Sequence, residues 1–347
     1  MTVYCKGFPE FKHWGTATLL TPDAKFTAND ILVWFDVIYQ EDLAEVIRLN
    51  GTPGLLISTA HVEPLLDSCP VQQYPWFLLN TCKDMAMAHV YDHLPVDRCF
   101  NFLINKKQIN RYLLLKLIDW FGLRSYDYTW SGIGTPMNLL SILSEFDRLP
   151  DTVIPDLTKF KTHLLSPIDH IPKKFFANDS VKITESSVTN YGSNVETWNQ
   201  LLGPMISQTA VSLITESVRH ERYMVYTEKT IYAVQGLTFP IWVGGYAQAQ
   251  TWANKGFDIF DDVINHDYQY CDTLLERCTR AVADNLQILT DLNFAREQKL
   301  ANLPRLRHNR ESLVPVFEQQ NKLFWQAAPE QLLQARPTQD WPSTTLS

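Results

Sequence analysis

Several short stretches of the 347-residue chain carry side chains able to hold a charged ligand. Thr215-Glu216-Ser217 ends an apolar, β-branched run, so the carboxylate of Glu216 is delivered to the end of a strand. Thr227-Glu228-Lys229 opens a helical pattern with Thr227 as N-cap, and the free N–H groups and dipole of a first turn favour an anion. A lysine at that end opposes the dipole, and it makes sense if its charge neutralises a phosphate. Gly244-Gly245 closes a further apolar run, where backbone without side chains lets a ligand approach. Asn105, Lys106, Lys107 and Arg111 form a basic cluster ahead of another helical pattern, and the planar fork of an arginine fits a phosphate bidentately. Taken singly, each has an ordinary reading: a capping glutamate, a turn, a solvated basic face. Their order and spacing carry the case for a diphosphate.

The elements that must position these residues alternate between short apolar runs and helix-length amphipathic segments, the pattern of an α/β sandwich. The runs predict strands over 31–35, 55–59, 76–80, 100–105, 212–216 and 240–244. The periodicity predicts helices over 42–50, 109–121 closed by Gly122, 138–149 ended by Pro150, and 271–289. Residues 151–196 lose periodicity and read as a long insertion, 311–334 is polar and amphipathic, and a tail with Pro337 and Pro342 is expected to be poorly ordered.

The motifs resemble those of the α-1,3/1,4-fucosyltransferases. In that family's nucleotide-sugar domain a strand ends in Glu-Asn-Ser, Thr-Glu-Lys opens a helix about ten residues on, and a Pro-led strand ends in Gly. This chain has Thr215-Glu216-Ser217, Thr227-Glu228-Lys229 and Pro240 to Gly244 in the same order, without the Asn. It also looks like the glycosyltransferase-like proteins of tailed phages and large viruses that contain Thr-Glu-Lys, through Gly256-Phe257-Asp258. The stretch from Phe100 to Gly122 is similar to the first strand and helix of the family's donor domain, where an Asn ends the strand and an Arg in the first helical turn contacts pyrophosphate, matching Asn105 and Arg111.

The resemblance implies an α/β protein of the GT-B type, with two Rossmann-like domains facing across a cleft. An acceptor-side domain over 1–96, a donor domain over 97–290 with its insertion at 151–196, and C-terminal helices over 291–347 follow from it. It implies transfer of a sugar from a GDP- or UDP-type nucleoside diphosphate sugar to a saccharide or other hydroxylated acceptor, inverting and independent of metal. Arg111 and Lys229 would stabilise the departing diphosphate. Glu228 would bind the ribose, and Glu216 with Ser217 would lie nearer the sugar or pyrophosphate. Inversion needs a base for the acceptor proton, for which His61 and Glu63 after the strand at 55–59 and Asp36 after that at 31–35 are the candidates.

Composition narrows the field. A chain of 40.1 kDa that is 45% hydrophobic and 20% charged is globular, with two domains as the expectation. Thirty basic against 38 acidic residues give a net charge of -8, which argues against a general nucleic-acid grip and mildly against hydroxylated pyrimidines in phage-type DNA as acceptors. A non-catalytic nucleotide-binding or assembly protein on the same scaffold is the remaining alternative. The six cysteines have no metal-knuckle spacing and read as reduced thiols. With no leader-like or membrane-spanning run, a cytoplasmic protein without membrane contact is expected. His89 and His93 lack a third ligand, and Asp258, Asp261 and Asp262 read as capping or solvated acids, so no metal site is expected.

Overall fold

The computed structural model describes residues 2–6, 18–19, 24–34, 46–58, 61–62, 70–73, 76–92, 94–104, 108–130, 139–149, 153–154, 156–168, 195–216, 223–224 and 226–328. The strands are β1 (Val3–Lys6), β2 (Thr18–Leu19), β3 (Ile31–Trp34), β4 (Leu55–Ser58), β5 (His61–Val62), β6 (Val71–Gln73), β7 (Arg98–Ile104), β8 (Tyr126–Trp130), β9 (Thr209–Ile214), β10 (Tyr223–Met224) and β11 (Phe239–Trp242). The helices used below are α1 (Trp76–Ala86), α2 (Ile109–Trp120), α3 (Leu157–Leu165), α4 (Glu228–Gln235), α5 (Leu274–Ala283), α6 (Leu292–Ala301) and α7 (Leu303–Ala327). The described residues fall into two compact units, one drawn from Met1–Asn80, Arg222–Val225 and Val314–Ser347, the other from Thr81–Glu221 and Tyr226–Leu313.

The first unit holds a parallel sheet in the order β2-β1-β3-β4-β6 and a two-stranded antiparallel ribbon of β5 and β10. The second holds a parallel sheet in the order β11-β9-β7-β8. In the second sheet the chain moves outward from β7 to β8, then returns to the other side of β7 to add β9 and β11. Ligands of sheets with such a reversal bind beyond the carboxyl ends of the strands at that point, here β7 and β9.

Burial explains the strands. All six residues of β9 are buried, as expected of a parallel strand covered on both faces, so it reads as a continuous run and not an alternation. Pro240 is accommodated because β11 lies at the sheet's edge. Helix α2 is buried from Ile109 through Ile118, including Lys116, whose ammonium donates to the carbonyls of His163 (3.0 Å), Ser166 (2.5 Å) and Pro167 (3.1 Å). That cation closes the carboxyl end of α3, which lies inside the stretch read from sequence as an aperiodic insertion.

Three sequence expectations need correction. Residues 76–80 begin helix α1 instead of forming a strand; its buried Leu78, Leu79, Cys82 and Met85 follow helical spacing, which a five-residue apolar window cannot distinguish from a strand. The helix expected over 271–289 is broken into α5 and Leu286–Thr290, because Asn285 turns inward to bond the backbone of Asn265 and Ala281. The last helix, α7, starts well before the expected 311 and runs through Pro315. Among the described residues, Cys82, Cys99 and Cys278 are buried free thiols, and no helix is long and apolar enough to cross a membrane.

Lys299 of α6 is buried and donates to the carbonyls of Ser207 (2.8 Å) and Thr209 (2.7 Å), just before and at the start of β9. Burial pushes its ammonium down to about 7. An unfolded lysine titrates at about 10.4, so between those values the unfolded chain holds more protons and stability rises with pH. The contribution is complete above the unfolded value and is lost as pH falls through the folded one. Urea unfolding of wild type and Lys299→Met is expected to diverge by about 1.4 kcal/mol per pH unit between pH 7.5 and 9.5, the slope being present only in wild type. Parallel pH profiles would refute this.

Candidate functional site

The cluster foreseen around Arg111 and the Thr-Glu-Lys motif assembles at the carboxyl end of β9. Thr215 and Glu216 follow that strand directly, α2 places Asn110 and Arg111 beside them, and α4 brings Thr227, Glu228 and Lys229. The Nδ2 of Asn110 donates to the carbonyl of Glu216 at 3.0 Å, while its Oδ1 accepts from the N–H of Arg111 at 3.0 Å. One amide thus ties the first turn of α2 to the end of β9.

Glu216 is 1% exposed, and its carboxylate faces α4. It accepts from the N–H of Thr227 (2.9 Å), from the Thr227 hydroxyl and from the Thr230 hydroxyl (2.7 Å). Trp242 of β11 adds an indole N–H to the same Thr230 oxygen at 2.9 Å. Burial pushes the Glu216 carboxyl up, against the pull of Lys229 and of these donors. Both carboxylate oxygens are engaged, so Glu216, expected from the sequence to lie nearer the sugar or pyrophosphate, here holds the start of α4 in place. Thr230 and Trp242 were not foreseen; the one local signal was the three-residue spacing of Thr227 and Thr230 on a single helix face.

Thr227 caps α4 as expected, its hydroxyl accepting from the N–H of Lys229. The ammonium of Lys229 pairs with Glu228 at 2.8 Å. Burial would raise the Glu228 carboxyl, but Lys229, its own backbone N–H and Arg111 together hold it below the usual range. With 34% of its side chain exposed, Glu228 is the member of the cluster most open to solvent.

Arg111 is the anomaly. It is 2% exposed, yet its Nε has no hydrogen-bond partner and its Nη2 reaches only the Thr215 carbonyl, at a long 3.4 Å. Burial draws its guanidinium down from the ordinary value, opposed by the charges of Glu228 and Glu216. A buried guanidinium ordinarily meets carboxylates through several short bonds, and one left short of acceptors lacks compensation for its desolvation. Thr215 shows the same deficit in its hydroxyl.

The glycine pair packs against the chain's own side chains. Gly244 has φ +85°, and a Cβ there would lie 2.9 Å from Leu274 and 3.0 Å from the Cys278 sulfur. A Cβ on Gly245 would lie 1.6 Å from the Gln248 side chain. The missing side chains admit the chain's own α5 and Gln248.

Asp36, Glu63, Asn105, Lys106, Lys107, Ser217 and His93 lie outside the described residues, and for His61 only its backbone pairing with Met224 is described. Asp258 and Asp262 both meet Arg305, at 2.5 to 2.9 Å. Among the described residues no group of three or more His, Cys, Asp or Glu could hold a metal ion. In comparisons with known proteins, no family model and no curated protein matches the sequence.

Proposed function

We propose that the chain is a glycosyltransferase that moves a sugar from a nucleoside diphosphate sugar to a hydroxyl acceptor, its two parallel-sheet units being the Rossmann-like halves of a GT-B enzyme. The observation that carries this reading is Arg111: a buried guanidinium short of acceptors, at the end of β9 where the strand order reverses. A diphosphate supplies the missing oxygens in the geometry an arginine fork prefers. Lys229 and the first turn of α4 add positive potential from the adjoining side, so the charge that develops on the leaving diphosphate meets donors already in place. Glu228, the most open carboxylate of the cluster, is suited to accept from ribose hydroxyls. Glu216 acts one step back, fixing the helix that carries both. The base that takes the acceptor's proton is expected among His61, Glu63 and Asp36.

The test is a thermal-shift series on the full chain with GDP, UDP and their sugar conjugates, without added divalent metal. At about a hundredfold excess over Kd a bound ligand contributes about 2.7 kcal/mol, a rise of roughly 5–10 °C for a unit of this size. Glu228→Ala and Lys229→Ala are expected to remove the rise. A folded sample that shifts with no nucleoside diphosphate rejects the proposal.

A further inference from the structure

The pairing of Glu228 with Lys229 is more than a phosphate-binding lysine alone requires. Consecutive residues of a helix project about 100° apart and do not ordinarily meet. Here the Lys229 ammonium nonetheless lies 2.8 Å from the Glu228 carboxylate, with the Thr227 hydroxyl 3.4 Å away. The lysine is the more enclosed of the two, 14% of its side chain being exposed against 34% of the glutamate's. A half-open pair of this kind adds little to stability. Its position matters more, because it stands on the first turn of α4 beside Arg111.

An anion approaching that turn meets a negative charge as well as two positive ones. Lys229 and Arg111 both hold the Glu228 carboxyl below its usual range, so it is ionised at neutral pH. In the protein without ligand, this carboxylate engages Lys229 in the way a phosphate oxygen would. Like charges repel, and more strongly where water is scarce. A bare pyrophosphate must therefore detach Lys229 from Glu228 and then lie beside a carboxylate stripped of its donor, a group that can only accept hydrogen bonds. A nucleoside diphosphate brings the replacement with it. Its ribose hydroxyls donate, and Glu228 exchanges the ammonium for them.

Building on the reading of this cluster as a nucleoside diphosphate site, we propose that Glu228 is a specificity-determining residue that refuses phosphate compounds without donor hydroxyls. It holds Lys229 while the site is empty and gives it up to a ligand whose hydroxyls engage the freed carboxylate. The selectivity comes from a cost imposed on the wrong ligand together with a contact offered to the right one.

Isothermal titration calorimetry of the full chain with inorganic pyrophosphate, GDP and UDP, without divalent metal, tests this. Glu228→Gln keeps the volume of the side chain and removes its charge. It is expected to bind pyrophosphate about tenfold more tightly than wild type and the preferred nucleoside diphosphate about tenfold more weakly. Glu228→Ala should show the same gain for pyrophosphate. Asp97→Asn, an exposed acid before the start of β7 and at the far end of the sheet from the cluster, should change neither ligand. Pyrophosphate binding that is unchanged or weaker in Glu228→Gln overturns the proposal. Equal tightening of both ligands also overturns it, since the carboxylate then repels without taking a hydroxyl, and so does an equal gain in Asp97→Asn, which marks a diffuse charge effect. All three failures occur in a wild type that binds GDP or UDP and leave the nucleotide site standing. A wild type that binds neither overturns the nucleotide site and this proposal together.

Discussion

Arg111→Met is expected to weaken nucleoside diphosphate binding by about a hundredfold or more while leaving the folded chain at least as stable as wild type. The two effects have one origin. The guanidinium is buried with no acceptor for Nε and a single 3.4 Å contact for Nη2, so its desolvation is poorly offset in the protein alone. Methionine fills a similar volume without that cost. The lost charge-assisted bonds to a diphosphate amount to roughly 3 kcal/mol, which is the hundredfold. Urea unfolding and calorimetric titration with GDP and UDP measure both on one sample. A variant that binds as wild type removes Arg111 from the site, and one that loses several kcal/mol of stability makes the arginine structural.

Glu216→Ala should behave in the opposite way, costing about 3–4 kcal/mol of stability, a fall in Tm of about 10 °C. The substitution strips the acceptor from the Thr227 N–H and from two threonine hydroxyls at once, in a place closed to water. Glu216→Gln keeps the volume but turns an NH2 toward donors, so it should recover only part of the loss. Ligand binding by either variant should fall only as far as α4 loosens. If Glu216→Ala instead melts like wild type and loses all nucleotide response, the carboxylate contacts ligand and the bracing role assigned to it is wrong.

The contrast shows where sequence reading reached and where it stopped. Arg111, Thr227 and the start of α4 could be named because capping and charge placement at a helix end are local properties. The inward turn of Glu216 could not be, since it depends on α4 packing back onto the end of β9 and on Asn110, more than a hundred positions away, holding the Glu216 carbonyl. The same limit hid Lys116. A charged residue in an apolar run reads as an interruption, whereas here it is the buried cation that closes another helix. At Gly244 and Gly245 the sequence pointed to close approach at the turn, and packing reveals Leu274, Cys278 and Gln248 among the groups that approach. In α1 the apolar run at 76–80 was too short to carry a period, and its helical spacing emerges only with Cys82 and Met85.

The strand order of the second unit also has a kinetic meaning. Strand β7 forms the middle of its sheet, but its partner β9 is separated from it by the whole of α2, β8, α3 and the segment that follows. During synthesis the apolar Phe100, Phe102 and Ile104 leave the ribosome long before β9 exists to pair with them. Closing that distance is a slow, late event with a large entropic cost, so refolding of this unit should be slow compared with a helical protein of equal stability. Because the cluster of Arg111, Glu216 and α4 is built at the end of β9, it is among the last parts of the unit to form.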